Sequence, residues 1–150
     1  MRIENDVKLD FKDVLFRPKR STLVSRQQVS LEREFTFRNS KKKYSGVPIM
    51  AANMDGVGTY TMAQTLAEQG LFTCLLKNYP IDSLVGWINI EGHRIHDHWA
   101  YSMGISKDDL EKFETVYVQT VDPDGSNRAI KYVCIDVANG YTENFAGFVR

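Results

Sequence analysis

The chain has 150 residues, 43% apolar and 25% charged, enough to enclose one sizeable core. Its 19 Lys and Arg balance 19 Asp and Glu, so the overall charge gives no reason to expect nucleic acid or a membrane surface as partner. The opening Met1-Arg2-Ile3-Glu4-Asn5-Asp6 carries acids in place of an apolar core and no run approaches membrane-spanning length, so the expectation is a cytoplasmic chain whose two cysteines, Cys74 and Cys134, are free buried thiols.

Residues 1–46 read as a leading segment. Lys8-Leu9-Asp10-Phe11-Lys12-Asp13-Val14 alternates in character, and Pro18 breaks regular structure. Leu31, Phe35 and Phe37 share one parity with polar residues between them, the pattern of a half-buried strand. Basic residues cluster at Arg17, Lys19 and Arg20 and again at Lys41, Lys42 and Lys43. Solvated surface charge is the plain reading of both clusters; anion binding would need a loop that donates backbone N–H groups beside them.

From Val47 onward one theme repeats four times, a short apolar run, a polar loop and then helical periodicity. The strand candidates are Val47–Ala52, Leu71–Leu76, Trp99–Met103 and Tyr132–Val137. The first helix carries Tyr60, Ala63, Leu66 and Ala67, with Gly70 as its stop. The second follows Pro80 and places Ile81, Leu84, Val85 and Ile88 on one stripe. Ser106 with Asp109 announces the third, whose stripe is Leu110, Phe113, Tyr117 and Val121, and Asp122-Pro123-Asp124-Gly125-Ser126 is a turn signal that ends it. The fourth starts after Thr142.

Strands alternating with helices imply a parallel sheet of the α/β class. Four such units are the N-terminal half of a TIM-type (β/α)8 barrel, or an open four-stranded sheet. A half barrel leaves two strand edges uncovered, so the expectation is a single incomplete domain, the front part of a longer protein. In either arrangement ligands sit on loops leaving the carboxyl ends of the strands, which makes Asn53, Met54 and Asp55 site candidates by position. Asp55 has a second reading, a side chain bonded to its own loop backbone.

Several stretches resemble the inosinate dehydrogenase/GMP reductase family of β/α barrels. They are Lys8 to Leu15, Arg17-Pro18-Lys19-Arg20-Ser21-Thr22-Leu23, Tyr44 to Ile49, Ala51-Ala52-Asn53-Met54-Asp55, and Cys134-Ile135-Asp136-Val137-Ala138-Asn139-Gly140-Tyr141. Only Lys77 to His98 fill the interval where the dehydrogenase branch usually inserts a regulatory domain, so the resemblance favours the reductase branch. It implies NADPH-dependent reductive deamination of GMP to IMP and ammonia, in a cytoplasmic homotetramer. In the family a cysteine attacks purine carbon 2, ammonia leaves and NADPH supplies the hydride.

By the same resemblance Ala52 and Met54 line the nucleotide pocket, Lys77, Asp136, Val137 and Ala138 meet the cofactor, and Ser25 and Arg26 reach the cofactor of a neighbouring subunit. The family's attacking cysteine matches a position beyond Arg150, and neither Cys74 nor Cys134 corresponds to it; both read as inert core thiols whose pKa apolar surroundings raise. Leu76 and Asn78 flank Lys77 where family reductases commonly have histidines, and Gly56 stands where a threonine is usual. The alternative function is a non-catalytic, truncated chain that binds nucleotide weakly or associates with full-length subunits.

Other constellations have ordinary readings. His93, His96 and His98 do not recur on one helical face and no Cys accompanies them, so no metal is expected. Asp108, Asp109, Glu111 and Glu114 open a helix, where the dipole favours acids. Asn139-Gly140, apart from the resemblance, reads as a strand-to-helix turn.

Overall fold

The computed structural model describes residues 5–120 and 129–150. The turn signal at Asp122-Pro123-Asp124-Gly125-Ser126 and the stripe position Val121 lie outside them. The chain divides into two compact units, Met1–Ser30 and Leu31–Arg150. In the first, the alternation around Lys8 to Val14 produces no strand; Phe11–Asp13 is a single 3-10 turn capped by Asp10, and Arg26–Gln28 is a second capped by Ser25.

The second unit opens with an antiparallel hairpin, β1 (Arg33–Thr36) on β2 (Lys43–Gly46), in which Phe35 faces Tyr44 in register. The strand expected around Phe35 forms, yet it is more exposed than a half-buried strand: Phe35 is 45% and Phe37 42% accessible. The reason is spacing. The two rings line an open cavity of about 470 Å³, where Phe37 meets Tyr132 at 6.0 Å. Strand β2 was not expected, because Lys41, Lys42 and Lys43 read as solvated charge; Lys43 pairs with Glu34 across the hairpin at 2.9 Å.

Next come β3 (Met50–Ala51), α1 (Tyr60–Ala67), β4 (Phe72–Cys74), α2 (Ile81–Ile90), β5 (Trp99–Met103), α3 (Lys107–Gln119), β6 (Val133–Ile135) and α4 (Glu143–Val149). The sheet is parallel throughout, in the order β3-β4-β5-β6. This is the α/β alternation that the periodicity implies. The strands are shorter than the apolar runs, except β5, whose five residues match; β3 keeps only two, its run being interrupted by Pro48, which has no N–H to donate.

Local chemistry explains the boundaries of α1, α3 and α4. Thr59 caps α1 by accepting from Met62 N–H at 3.1 Å. At its far end Gly70, at φ +69°, returns its N–H to Ala67 while Leu71 bonds Leu66, the paired bonds of a Schellman stop. Ser106 and Asp109 form a full capping box on α3, and Thr142 caps α4. The stripe on α3 needs correction. Val116 is fully buried and Thr120 nearly so, whereas Leu110 is 39% exposed. The buried face runs through Phe113, Val116, Tyr117 and Thr120, rotated from the one expected.

Alternation along the strands divides the core between two faces. Leu75, Trp99, Tyr101 and Met103 pack with Leu84, Ile88 and Val116 of the helices. Phe72, Cys74 and Ala100 point the other way, toward Tyr44 and Tyr132. The sheet is coiled. Flat strands at the usual spacing would hold β3 and β6 about 14 Å apart, yet Asn53, just past β3, donates to Asp136, just past β6, at 3.0 Å. No helix among the described residues is long and apolar enough to cross a membrane.

Candidate functional site

The coiling brings the four strand-end loops toward one rim. In the first, Met54 carbonyl accepts from Val57 and Gly58 N–H, a turn that leaves Ala52 and the Met54 side chain exposed. Gly58 is where this loop touches the next strand. A Cβ there would lie 2.4 Å from the Cys74 carbonyl oxygen and 2.9 Å from Leu76 N, and Leu76 N–H donates to the Gly58 carbonyl at 2.8 Å. Only glycine permits that approach.

The loop after β4 carries Lys77, half-buried, followed by exposed Asn78 and by Tyr79. The Tyr79 ring stacks on Tyr60 at 4.1 Å, and Tyr60 stacks on Trp87 at 4.8 Å. From α3, Lys112 Nζ donates to the carbonyls of Lys77 at 2.9 Å and Tyr79 at 2.7 Å. Burial pushes the Lys112 ammonium down from its ordinary pKa, Asp109 draws it back up, and the charge of Lys77 adds to the depression. Asp109 is held low by its bond from Ser106 against the opposing effect of burial, with help from the Gly104 and Ser106 amides and from Lys77. Two lysines and one carboxylate therefore share the carboxyl ends of β4 and β5.

The loop after β6 carries Asp136, Val137 and Ala138. Asp136 N–H bonds the Met103 carbonyl at 2.8 Å, which fixes it beside β5, and its carboxylate accepts from Asn53. One such bond leaves acceptor capacity on an exposed carboxylate. Asn139 Oδ1 accepts from Tyr141 N–H at 2.9 Å, a local turn leading into α4. Ser25 and Arg26 belong to the other unit, where Ser25 accepts from Gln27 N–H at 3.3 Å and both residues are exposed.

Thus one rim gathers Asn53, Met54, Lys77 and Asp136, with Val137 and Ala138 beside Asp136. Sequence reading missed Lys112, an unremarkable lysine on a charged helix whose partners are carbonyls 35 and 33 residues away. It also missed the direct bond between Asn53 and Asp136, which joins segments 83 residues apart.

The apolar cavity is a poor rival for a nucleotide. Its wall includes Phe35, Phe37, Tyr44, Phe72 and Tyr132 and no charged residue, so a phosphate there would be desolvated without a partner. It lies beside Val47, Pro48 and Ile49, which precede β3, hence toward the amino ends of the strands. Both cysteines border it. Cys74, whose thiol donates to Met50 Sδ at 3.2 Å, is driven up by the neighbouring Cys134 and by burial, the direction expected. Cys134 goes the other way: the neighbouring Cys74 lowers it more than burial raises it. The uniform rise expected of both thiols therefore does not hold for Cys134, which its neighbour Cys74 lowers.

His96 lies 3.3 Å from Asp97, and His98 meets Tyr44 edge-on at 6.2 Å. Among the described residues no three His, Cys, Asp or Glu side chains gather as a metal set.

The IMP dehydrogenase / GMP reductase domain matches residues 8–150. The chain is 52% identical to the GMP reductase of Salmonella paratyphi B over 149 residues, covering 99% of this chain and 41% of that protein. It is 51% identical to human GMP reductase 2 over 150 residues, covering 99% and 40% respectively. The chain thus spans about two fifths of the length of these curated relatives. In fold it resembles the crystal structure of inosine 5' monophosphate dehydrogenase from Legionella pneumophila, with a TM-score of 0.65 at 21% identity over 93% of this chain and 38% of that one. The chain belongs to the IMP dehydrogenase / GMP reductase family.

Proposed function

We propose that the protein to which this chain contributes reduces GMP to IMP with release of ammonia, using NADPH, and that residues 47–150 supply four of the eight β/α units of its barrel. The observation that carries this reading is the 52% and 51% identity to proteins named GMP reductase across 99% of the chain. The rim supports it chemically. Ala52 and Met54 line the GMP side, while Lys77, Asp136, Val137 and Ala138 serve the cofactor side.

The donor set fits a phosphorylated dinucleotide. Half-buried Lys77 offers a cation to an anionic group, and exposed Asp136 offers acceptors to ribose hydroxyls or an amide. NADPH, when bound, supplies the reducing equivalents. The chain's own residues bind and orient: Lys77 neutralises charge, Asn53 holds Asp136 at a fixed point, and Met54 presents an apolar edge. Ser25 and Arg26 reach a neighbouring subunit's cofactor in a cytoplasmic homotetramer. This chain by itself binds nucleotide weakly and performs no turnover, because both its thiols lie in strands and border the apolar cavity.

Absorbance assays of the complete protein in both directions test the branch. NADPH oxidation with GMP, without NAD reduction when IMP is given, is the expected result. Faster dehydrogenation than reduction overturns it.

A further inference from the structure

Lys112 stands outside the set of cofactor residues, yet it makes the densest polar contact at the rim. Its ammonium donates at 2.9 Å to the carbonyl of Lys77 and at 2.7 Å to that of Tyr79. These bonds run from α3 to a loop that joins β4 to α2, so they tie two consecutive β/α units at their carboxyl edge. Tyr79 is anchored independently by its ring on Tyr60, at 4.1 Å. Asn78 is exposed. The stretch ahead of Tyr79 therefore depends on Lys112 for the direction of its backbone, and that stretch carries the Lys77 side chain.

The electrostatics would be wasteful for a simple surface lysine. A second cation is held close enough to Lys77 to be depressed by it, and Asp109 partly compensates both. A lysine free to choose would turn to solvent, since burying part of an ammonium costs free energy unless its donors are used. Here two of its three donors are used on one loop.

We propose that Lys112 is a positioning residue, whose ammonium sets the backbone of residues 77–79 so that Lys77 meets the anionic part of the nicotinamide cofactor. This rests on the cofactor role of Lys77 given above. Lys112 does not itself touch the cofactor; it acts through the loop.

The test uses the complete protein and three readouts: affinity for NADP+ by calorimetry, affinity for GMP, and amide hydrogen exchange at residues 77–79. Lys112→Met keeps much of the stem and removes the donors. It should speed exchange at those amides and weaken NADP+ binding about tenfold, the low end of the loss of a charge-assisted bond, while GMP affinity stays unchanged. Lys112→Arg retains a cation with donors and should recover most of the loss. The double variant Lys77→Ala/Lys112→Met should bind NADP+ no more weakly than Lys77→Ala alone, because Lys112 works through Lys77. Additive losses overturn the proposal, as does equal weakening toward both ligands with a lowered melting temperature. If Lys77→Ala weakens NADP+ binding and Lys112→Met does not, only the role of Lys112 falls. If Lys77→Ala has no effect, the cofactor role of Lys77 falls, and the proposal with it.

Discussion

At the scale of single residues, charge decides what the rim can hold. Lys77 is the cation presented by the β4 loop, and its removal should be felt by one substrate more than the other. In the complete protein Lys77→Ala should raise the Michaelis constant for NADPH about ten- to a hundredfold, the effect of losing a charge-assisted bond, with a much smaller change for GMP. Steady-state kinetics with each substrate varied in turn checks this, and equal effects would indicate general misfolding. Asp109 gives a pH prediction. Its carboxyl is held below the usual range, chiefly by Ser106, so it contributes stability that is present above the unfolded carboxyl pKa, about 3.9, and is lost as pH falls through the lower folded value. Asp109→Asn should therefore be less stable than the parent near neutrality, and the gap should narrow below about pH 4, as urea denaturation at a series of pH values would show. A gap that is constant with pH would mean that the carboxylate charge is irrelevant.

At the scale of elements, the fold is held by close approaches that tolerate little change. Gly58→Ala would place a methyl 2.4 Å from the Cys74 carbonyl, backbone that cannot swing aside. A loss of about 1–3 kcal/mol is expected from such overpacking, visible as a lower denaturant midpoint; a neutral effect would mean that the β3 loop is not seated against β4. Much of this level was legible in the sequence. Gly70, Ser106 with Asp109, and Thr142 mark helix ends through side chains and backbone freedom that act locally, and all three boundaries stand close to where those residues lie. The failures involve distant partners. Strand β2 looks like a run of surface lysines until β1 pairs with it, and Val116 is buried because the sheet lies against that side of α3. Lys112 has the same character, since nothing near it in sequence announces the loop it grips. At the site itself, position at strand ends pointed to Asn53, and Lys77 and Asp136 entered by family resemblance. The bond from Asn53 to Asp136 was illegible because it depends on how far the sheet coils.

At the scale of the whole molecule, two regions compete for a ligand: the rim of polar loops at the strands' carboxyl ends, and the apolar cavity under the hairpin. Length and charge favour neither. Chemistry does, because a nucleotide needs cations and acceptors, which the rim has in Lys77 and Asp136, while the cavity wall has no charged residue. The same argument predicts that this chain alone releases no ammonia from GMP and NADPH above a protein-free blank. Release abolished by substituting Cys74 or Cys134 would show that a strand thiol acts as nucleophile. The most direct measurement of the central claim is a hydrogen-exchange footprint of the complete protein, with and without GMP plus NADP+. Protection should appear in the loops at residues 52–59, 75–79 and 136–140. Protection confined to Phe35, Phe37 and Tyr44 at the cavity, with those loops unchanged, would contradict it.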